Sequence, residues 1–167
     1  MKQDRGIRNL KIKLNNIEEF FLGLLDFANI DVVGMRAENV ARVMAGLEQW
    51  FKDYPDGFLK HCEKGRKDQE NLPGLSWEEE LILGKDTIKK AFKRIGVVYP
   101  TEEAFNQVKN GVDEFDNKFY CRVLTQHHHR SYYYRNHHLV DSVIEAYKES
   151  LKDSSGESNN LELALAE

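Results

Sequence analysis

Apolar residues recur at helical spacing in residues 85–95 of the chain. The spacing i, i+3, i+4 and i+7 places four of them on one side of an α-helix: Ile88, Ala91, Phe92 and Ile95. The opposite side is polar and mostly basic, and it carries Lys85, Thr87, Lys89, Lys90, Lys93 and Arg94. This segment is therefore predicted to form a helix with one buried side and one basic side.

A shorter helix is predicted immediately upstream of the basic helix. Ser76 and Glu79 have the spacing of a capping box, in which a hydroxyl and a carboxylate bind the free amides of the first helical turn. Trp77 and Leu81 give this helix an apolar side. Gly84 is expected to supply the positive φ of a tight turn before the next helix. Residues 76–95 are thus predicted to form a helix-turn-helix.

Such a pair of helices, with a basic second helix, suits binding in the major groove of DNA. The commoner source of this pattern is an amphipathic helix whose lysine side is simply solvated, and this segment alone leaves both interpretations open. The net charge of the chain is −4, so DNA binding would need a local basic surface. Between residues 76 and 138, ten lysines and arginines stand against nine acids, so this region is barely basic.

The N-terminal part of the chain contains two further helical patterns. Residues 1–13 are predicted to be a basic arm or a short strand. A helix capped by Asn15 or Asn16 follows, and it is either a core helix or a dimer surface. Its apolar residues are Ile17, Phe20, Phe21, Leu24, Leu25 and Phe27. Residues 36–53 are predicted to form a second long helix, and residues 58–62 are expected in a helical turn.

A β-hairpin is predicted downstream of the basic helix. Residues rich in β-formers fill positions 118–125 and 131–135, and residues 126–129 connect them. Its basic and polar side chains are Arg122, His127, His128, His129, Arg130 and Arg135. Before the hairpin, residues 97–100 are expected to be extended and Thr101 to cap a short helix. After it, a closing helix is predicted at residues 138–151.

The sequence offers little for catalysis, cofactors or membranes. It contains no phosphate-binding glycine loop and no legible set of acid, base and nucleophile, so the chain is predicted not to be an enzyme and to need no cofactor. No stretch approaches the roughly 20 apolar residues of a membrane span, and no signal peptide is recognised. Cys62 and Cys121 do not make a disulfide framework, which favours a reducing, cytoplasmic setting.

The histidines of the hairpin connection form a cluster in sequence. Alternate residues of a strand share a face, so His127 and His129 could approach one metal ion, but no third ligand is near them. In a second interpretation, these histidines become protonated below about pH 6.5 and then contact phosphate groups. A solvated loop is the third, and no metal site is predicted.

Over residues 36–151, the order of helix, capped helix, glycine turn, basic helix, hairpin and closing helix resembles the winged helix-turn-helix class. The likeness is closest to replication-initiation and regulatory proteins of phages, plasmids and integrative elements. In these, a Trp-containing helix end (here GLEQWFKD) precedes an aromatic-acid helix (here SWEEELILG) and a basic helix (here KDTIKKAFKRI). The matching residues of the basic helix are Thr87, Ile88, Lys89, Lys90, Ala91 and Arg94. An insertion at residues 99–116 departs from the compact form of the class.

The resemblance implies a mainly α fold with a small β-hairpin, a winged helix-turn-helix with a helical N-terminal extension. It implies three regions: an arm and helix at 1–35, the winged helix-turn-helix domain at 36–152, and a disordered acidic tail at 153–167. The implied function is sequence-specific binding of double-stranded DNA, by a transcriptional regulator or a replication-initiation factor of a mobile element. The residues expected to contact DNA are Lys85, Thr87, Lys89, Lys90, Lys93, Arg94, Arg122, His128, Arg130 and Arg135.

The alternative is a winged-helix protein-interaction module that does not bind DNA. The positions of the acids distinguish the two: acids that face away from the lysines favour DNA binding, and acids that neutralise the lysines favour the interaction module. Helix-turn-helix proteins often read two half-sites, so a homodimer is also expected, with the N-terminal and closing helices at its interface.

Overall fold

The chain begins with two helices, α1 (Asn16–Phe27) and α2 (Ala37–Asp53), in a computed structural model that describes residues 14–63, 75–108, 114–125 and 130–154. Asn15 caps α1 as predicted, because its side-chain oxygen accepts the backbone N–H of Glu18 at 2.8 Å. The basic arm predicted at residues 1–13 lies outside the described residues.

Helix α1 packs along α2 and belongs to the hydrophobic core. Four of its apolar side chains are buried within the chain: Phe20, Phe21, Leu24 and Leu25. Of the two interpretations of this helix, a core helix is therefore the one observed. The homodimer stays a prediction, and these four side chains are not free to form its interface.

The predicted helix-turn-helix consists of α3 (Trp77–Leu81) and α4 (Lys85–Ile95). The capping box is confirmed in part, because Ser76 caps α3 but the Glu79 carboxylate binds the Ser76 hydroxyl rather than a backbone amide. The Oγ of Ser76 accepts the N–H of Glu79 at 3.2 Å and donates to the Glu79 carboxylate at 3.1 Å.

The turn between α3 and α4 differs from the prediction. The expected positive φ at Gly84 is wrong, since its φ is −68° and its extended backbone begins α4. The left-handed residue is Ile82, with a φ of +54°. Its N–H bonds to the carbonyl of Glu78, so the left-handed residue lies two positions before Gly84, at the end of α3 itself.

Four strands form one mixed sheet in the order β1-β4-β3-β2. They are β1 (Phe58–His61), β2 (Gly96–Tyr99), β3 (Tyr120–Leu124) and β4 (Arg130–Arg135). The predicted hairpin is confirmed, because β3 and β4 pair antiparallel. The hairpin is part of a larger sheet rather than a free two-stranded ribbon, and the whole is mainly α with this small sheet.

The helical turn expected at residues 58–62 is wrong, because strand β1 occupies most of this segment. β1 pairs antiparallel with β4, and Phe58 lies opposite Tyr133 with ring centroids 5.4 Å apart. The sequence reasoning had no signal for this partner, which lies far downstream in the chain. β1 precedes the helix-turn-helix, so its pairing with β4 fixes the hairpin beside that motif.

The insertion at residues 99–116 is a crossover between parallel strands. Helix α5 (Glu102–Val108) and a 3-10 turn (Glu114–Asn117) lie between β2 and β3, which pair in parallel. Thr101 caps α5 as predicted, accepting the N–H of Ala104 at 3.1 Å. Phe105 stacks on Tyr134 at 4.6 Å, so α5 covers the sheet face that points away from α2 and α4.

The closing helix, α6 (His137–Ser154), begins where Asn136 accepts the N–H of Leu139 at 3.3 Å. Its Tyr147 ring packs between Phe20 and Phe27 of α1, with centroid distances of 5.1 and 5.4 Å. The remainder of the predicted tail, from residue 155, lies outside the described residues. None of the helices in the described ranges is both long enough and apolar enough to cross a membrane.

Candidate nucleic-acid interface

Helix α4 has the two sides that its spacing predicts. Its apolar side packs on α2, and it buries Ile88, Ala91, Phe92 and Ile95. Lys85, Lys90 and Lys93 are exposed, while Thr87 and Lys89 are half-buried. The five predicted groove residues of α4 therefore lie on or beside its solvent side.

None of the three acids of α3 pairs with an α4 lysine within the described residues. Glu79 accepts from the Ser76 hydroxyl at 3.1 Å. Glu80 accepts from the ammonium group of Lys60 at 2.8 Å. Glu78 forms no ion pair with any described residue.

One acid among the described residues pairs with lysines of α4. Glu63 lies 3.3 Å from the Nζ of Lys85 and 3.9 Å from the Nζ of Lys89. Lys90 and Lys93 form no ion pair with the described part of the chain. Within the described ranges Glu63 is thus the one acid that pairs with the α4 lysines, and Asp86 stands exposed on α4 itself, so Lys90 and Lys93 keep their charge exposed to solvent.

Arg94, a predicted DNA contact, is engaged inside the chain. Its guanidinium donates to the carbonyls of Asp31 at 3.2 Å and Val33 at 2.9 Å, and it lies 3.6 Å from the Asp31 carboxylate. These bonds fix the loop between α1 and α2 against α4. Arg94 therefore helps to orient the basic helix, and both terminal nitrogens of its guanidinium donate inside the chain.

Arg122 and Arg130 lie on the hairpin, at positions that differ in their surroundings. The Nε of Arg122 donates to the Oγ of Ser131 at 2.9 Å, which fixes the guanidinium across the two strands. Arg122 also borders the same small cavity as Lys89 of α4. Arg130, half-buried at the start of β4, pairs in register with His61. The structure thus brings the first of these arginines, but not Arg130, beside a predicted groove lysine.

Arg135 is the predicted contact with the most intrachain partners. It donates twice to the Glu48 carboxylate at 2.9 Å and once to Asp141 at 2.8 Å. Burial opposes its charge, yet the hydrogen bonds to Glu48 and Asp141 raise the pKa of Arg135 above its ordinary value. Tyr120 donates to the same Glu48 carboxylate at 2.9 Å. This network joins α2, the hairpin and α6, so Arg135 has a structural position.

Thr87 is half-buried on α4, between Lys85 and Lys89. His128 lies outside the described residues, together with the rest of the hairpin connection. Within the described ranges, no three His, Cys, Asp or Glu side chains are grouped so as to hold a metal ion.

A buried lysine beside the helix-turn-helix was missed by sequence reasoning. Lys60 of β1 is 3% exposed, and its Nζ donates to the Leu75 carbonyl at 2.6 Å and to Glu80 at 2.8 Å. The rings of Trp50 and Trp77 lie 3.9 and 4.7 Å from the same nitrogen. Burial lowers the pKa of Lys60, while Glu80 opposes this shift. The available signal was the short run of Phe58, Leu59 and Cys62 around Lys60.

The surface of interest is therefore the solvent side of α4 together with Arg122 of β3, which we call the basic surface. Its side chains are Lys85, Thr87, Lys89, Lys90, Lys93 and Arg122. Comparisons of the chain with protein-family models, with curated proteins and with solved structures give no match.

Proposed function

We propose that the chain is a winged helix-turn-helix protein that binds double-stranded DNA. In this proposal α4 enters the major groove and the hairpin β3–β4 acts as the wing beside it. The observation that carries the proposal is the solvent side of α4, where Lys90 and Lys93 are exposed and unpaired within the described residues. An α-helix fits the major groove, and ammonium groups on its free side can reach phosphates and base edges.

The attachment of the hairpin to the helix-turn-helix supports the same proposal. β4 pairs with β1, and β1 leads into α3 of the helix-turn-helix. Lys60 of β1 also binds Glu80 of α3, so the sheet and the motif are joined by a side-chain contact as well as by the chain. A wing fixed in this way could approach one DNA duplex together with α4.

The roles of the predicted residues then divide into two groups. Residues of the basic surface contact the groove and the phosphates, and Arg130 and His128 belong to the wing. Arg94 and Arg135 position α4 and the hairpin through their intrachain hydrogen bonds. The protein's role would be transcriptional regulation or replication initiation on a mobile element, with two copies reading two half-sites.

The acids favour this proposal over the interaction module. An interaction module requires acids that neutralise the α4 lysines, and none of the three acids of α3 forms an ion pair with those lysines within the described residues. Glu102, Glu103 and Asp116 form no ion pair with α4 within the described ranges. Among the ion pairs of the described residues, Glu63 alone reaches a side chain of the basic surface, and Asp86 stands exposed on the same helix.

Binding of a fluorescent duplex pool, measured by anisotropy at several salt concentrations, tests the proposal. Phosphate contacts release counterions, so log Kd should rise with log salt by about 0.9 for each contact. Four to six contacts from the basic surface predict a slope of about 4 to 5. Absence of binding at about 50 mM salt and micromolar protein would contradict the proposal, because non-specific DNA binding is expected in that range.

A further inference from the structure

Glu63 occupies an unusual position on the basic surface. One oxygen of its carboxylate lies 3.3 Å from the Nζ of Lys85 and 3.9 Å from the Nζ of Lys89. The two lysines stand one helical turn apart on the solvent side of α4. All three side chains are partly exposed, so the arrangement can open without disturbing the core.

The backbone next to Glu63 is fixed by the helix-turn-helix itself. The carbonyl of Cys62 accepts the N–H of Glu78 in α3 at 3.1 Å. One residue before Cys62, His61 is the last residue of β1 and pairs with Arg130. The carboxylate is therefore presented to α4 from a backbone that is anchored to α3 and to the sheet.

A third cation lies next to this pair of lysines. Arg122 and Lys89 border one small cavity, which Cys62 also lines. Burial raises the pKa of the Cys62 thiol, and the charges of Arg122 and Lys89 oppose that shift, which reflects how near both lie. The hydrogen bond from the Arg122 Nε to Ser131 fixes the orientation of its guanidinium beside this cavity.

We propose that Glu63 occupies the position of a DNA backbone phosphate and competes with DNA for Lys85 and Lys89. This inference rests on the proposed function of the basic surface. Carboxylate and phosphate oxygens accept the same hydrogen bonds from ammonium groups, and the two anions repel each other at short range. DNA binding therefore requires Glu63 to leave the two lysines. The carboxylate lowers affinity for every DNA sequence alike, which limits non-specific binding.

The experiment compares the anisotropy titration of the full chain with that of Glu63→Gln. The amide keeps the size of the side chain and removes its charge. Exposed ion pairs are weak, so the expected gain in duplex affinity is about two- to five-fold at low salt. Glu145→Gln is the matched control, since Glu145 is exposed on α6 and forms no ion pair with a described residue. It removes the same charge from the whole protein and should change affinity less than Glu63→Gln.

A double-mutant cycle assigns the gain to the two lysines. In a Lys85→Gln/Lys89→Gln background, Glu63→Gln should no longer tighten binding more than Glu145→Gln does. Equal effects of Glu63→Gln and Glu145→Gln in a chain that binds duplex DNA would overturn this inference and leave the proposed function standing. Failure of both the unmodified chain and Glu63→Gln to bind any duplex would overturn both.

Discussion

The ammonium nitrogen of Lys60 lies 3.9 Å from the centre of the Trp50 ring. Lys60 is a buried residue of strand β1. Glu80 binds both residues, accepting from Lys60 at 2.8 Å and from the indole N–H of Trp50 at 2.9 Å. This contact joins β1, α2 and α3. It fixes the position of the helix-turn-helix on the sheet. Hydrogen bonds are directional, so they define this position more closely than apolar contacts alone would.

Replacing Lys60 with methionine should destabilise the fold. The change leaves the Glu80 carboxylate without its charged partner in a poorly hydrated position. Removal of one partner of a buried ion pair costs about 3–5 kcal/mol, and the partial exposure of Glu80 reduces the expected loss to about 2–3 kcal/mol. Urea denaturation measures it. Lys52→Met, at an exposed lysine of α2, should stay within about 0.5 kcal/mol, and a Lys60→Met chain of unchanged stability would contradict the account.

Replacing Phe21 with alanine should destabilise the monomer rather than separate a dimer. Phe21 is buried within the chain, and truncation of a buried phenylalanine costs about 3–5 kcal/mol. Denaturation curves and light scattering on the same samples give stability and mass. Ile17→Ala, at an exposed position of the same helix, is the control. A stable Phe21→Ala monomer formed from an unmodified dimer would show that this side chain lies at an interface.

Stability at high pH should fall in part through Tyr133. Burial raises the pKa of Tyr133 to about 12. The ordinary value, about 10, holds in the unfolded chain, so this group's contribution is fully present below about pH 10 and is lost as pH rises towards 12. Tyr133→Phe removes the titration. The stability difference between the two chains should be constant from pH 7 to 9 and shift in favour of the phenylalanine chain by up to about 2 kcal/mol near pH 12. A difference independent of pH would refute this assignment.

Local patterns predicted the helices and the hairpin well. The α4 stripe, the caps at Asn15, Ser76 and Thr101, and the hairpin at residues 118–135 depend on neighbours a few positions apart. Periodicity and capping chemistry act over that distance, so one sequence is enough to recognise them.

The missed features depend on partners far apart in the chain. β1 is four residues long and contains Lys60, whose burial becomes favourable only beside Trp50, Trp77 and Glu80. Arg135 was predicted to contact DNA, because its partner Glu48 is remote from it along the chain and the sequence does not reveal their ion pair. Neither strand order nor ion pairing over such separations follows from local spacing.

The central claim is that the basic surface binds double-stranded DNA. The most direct measurement is the salt dependence of duplex binding for Lys90→Ala/Lys93→Ala beside Lys52→Ala/Lys148→Ala. Lys52 and Lys148 border a separate groove, so both variants lose two charges and differ in where they lose them. We predict that the α4 variant binds more weakly and that its log–log salt slope is smaller by about 2, while the control keeps nearly the slope of the unmodified chain. Equal slopes for the two variants would contradict the claim.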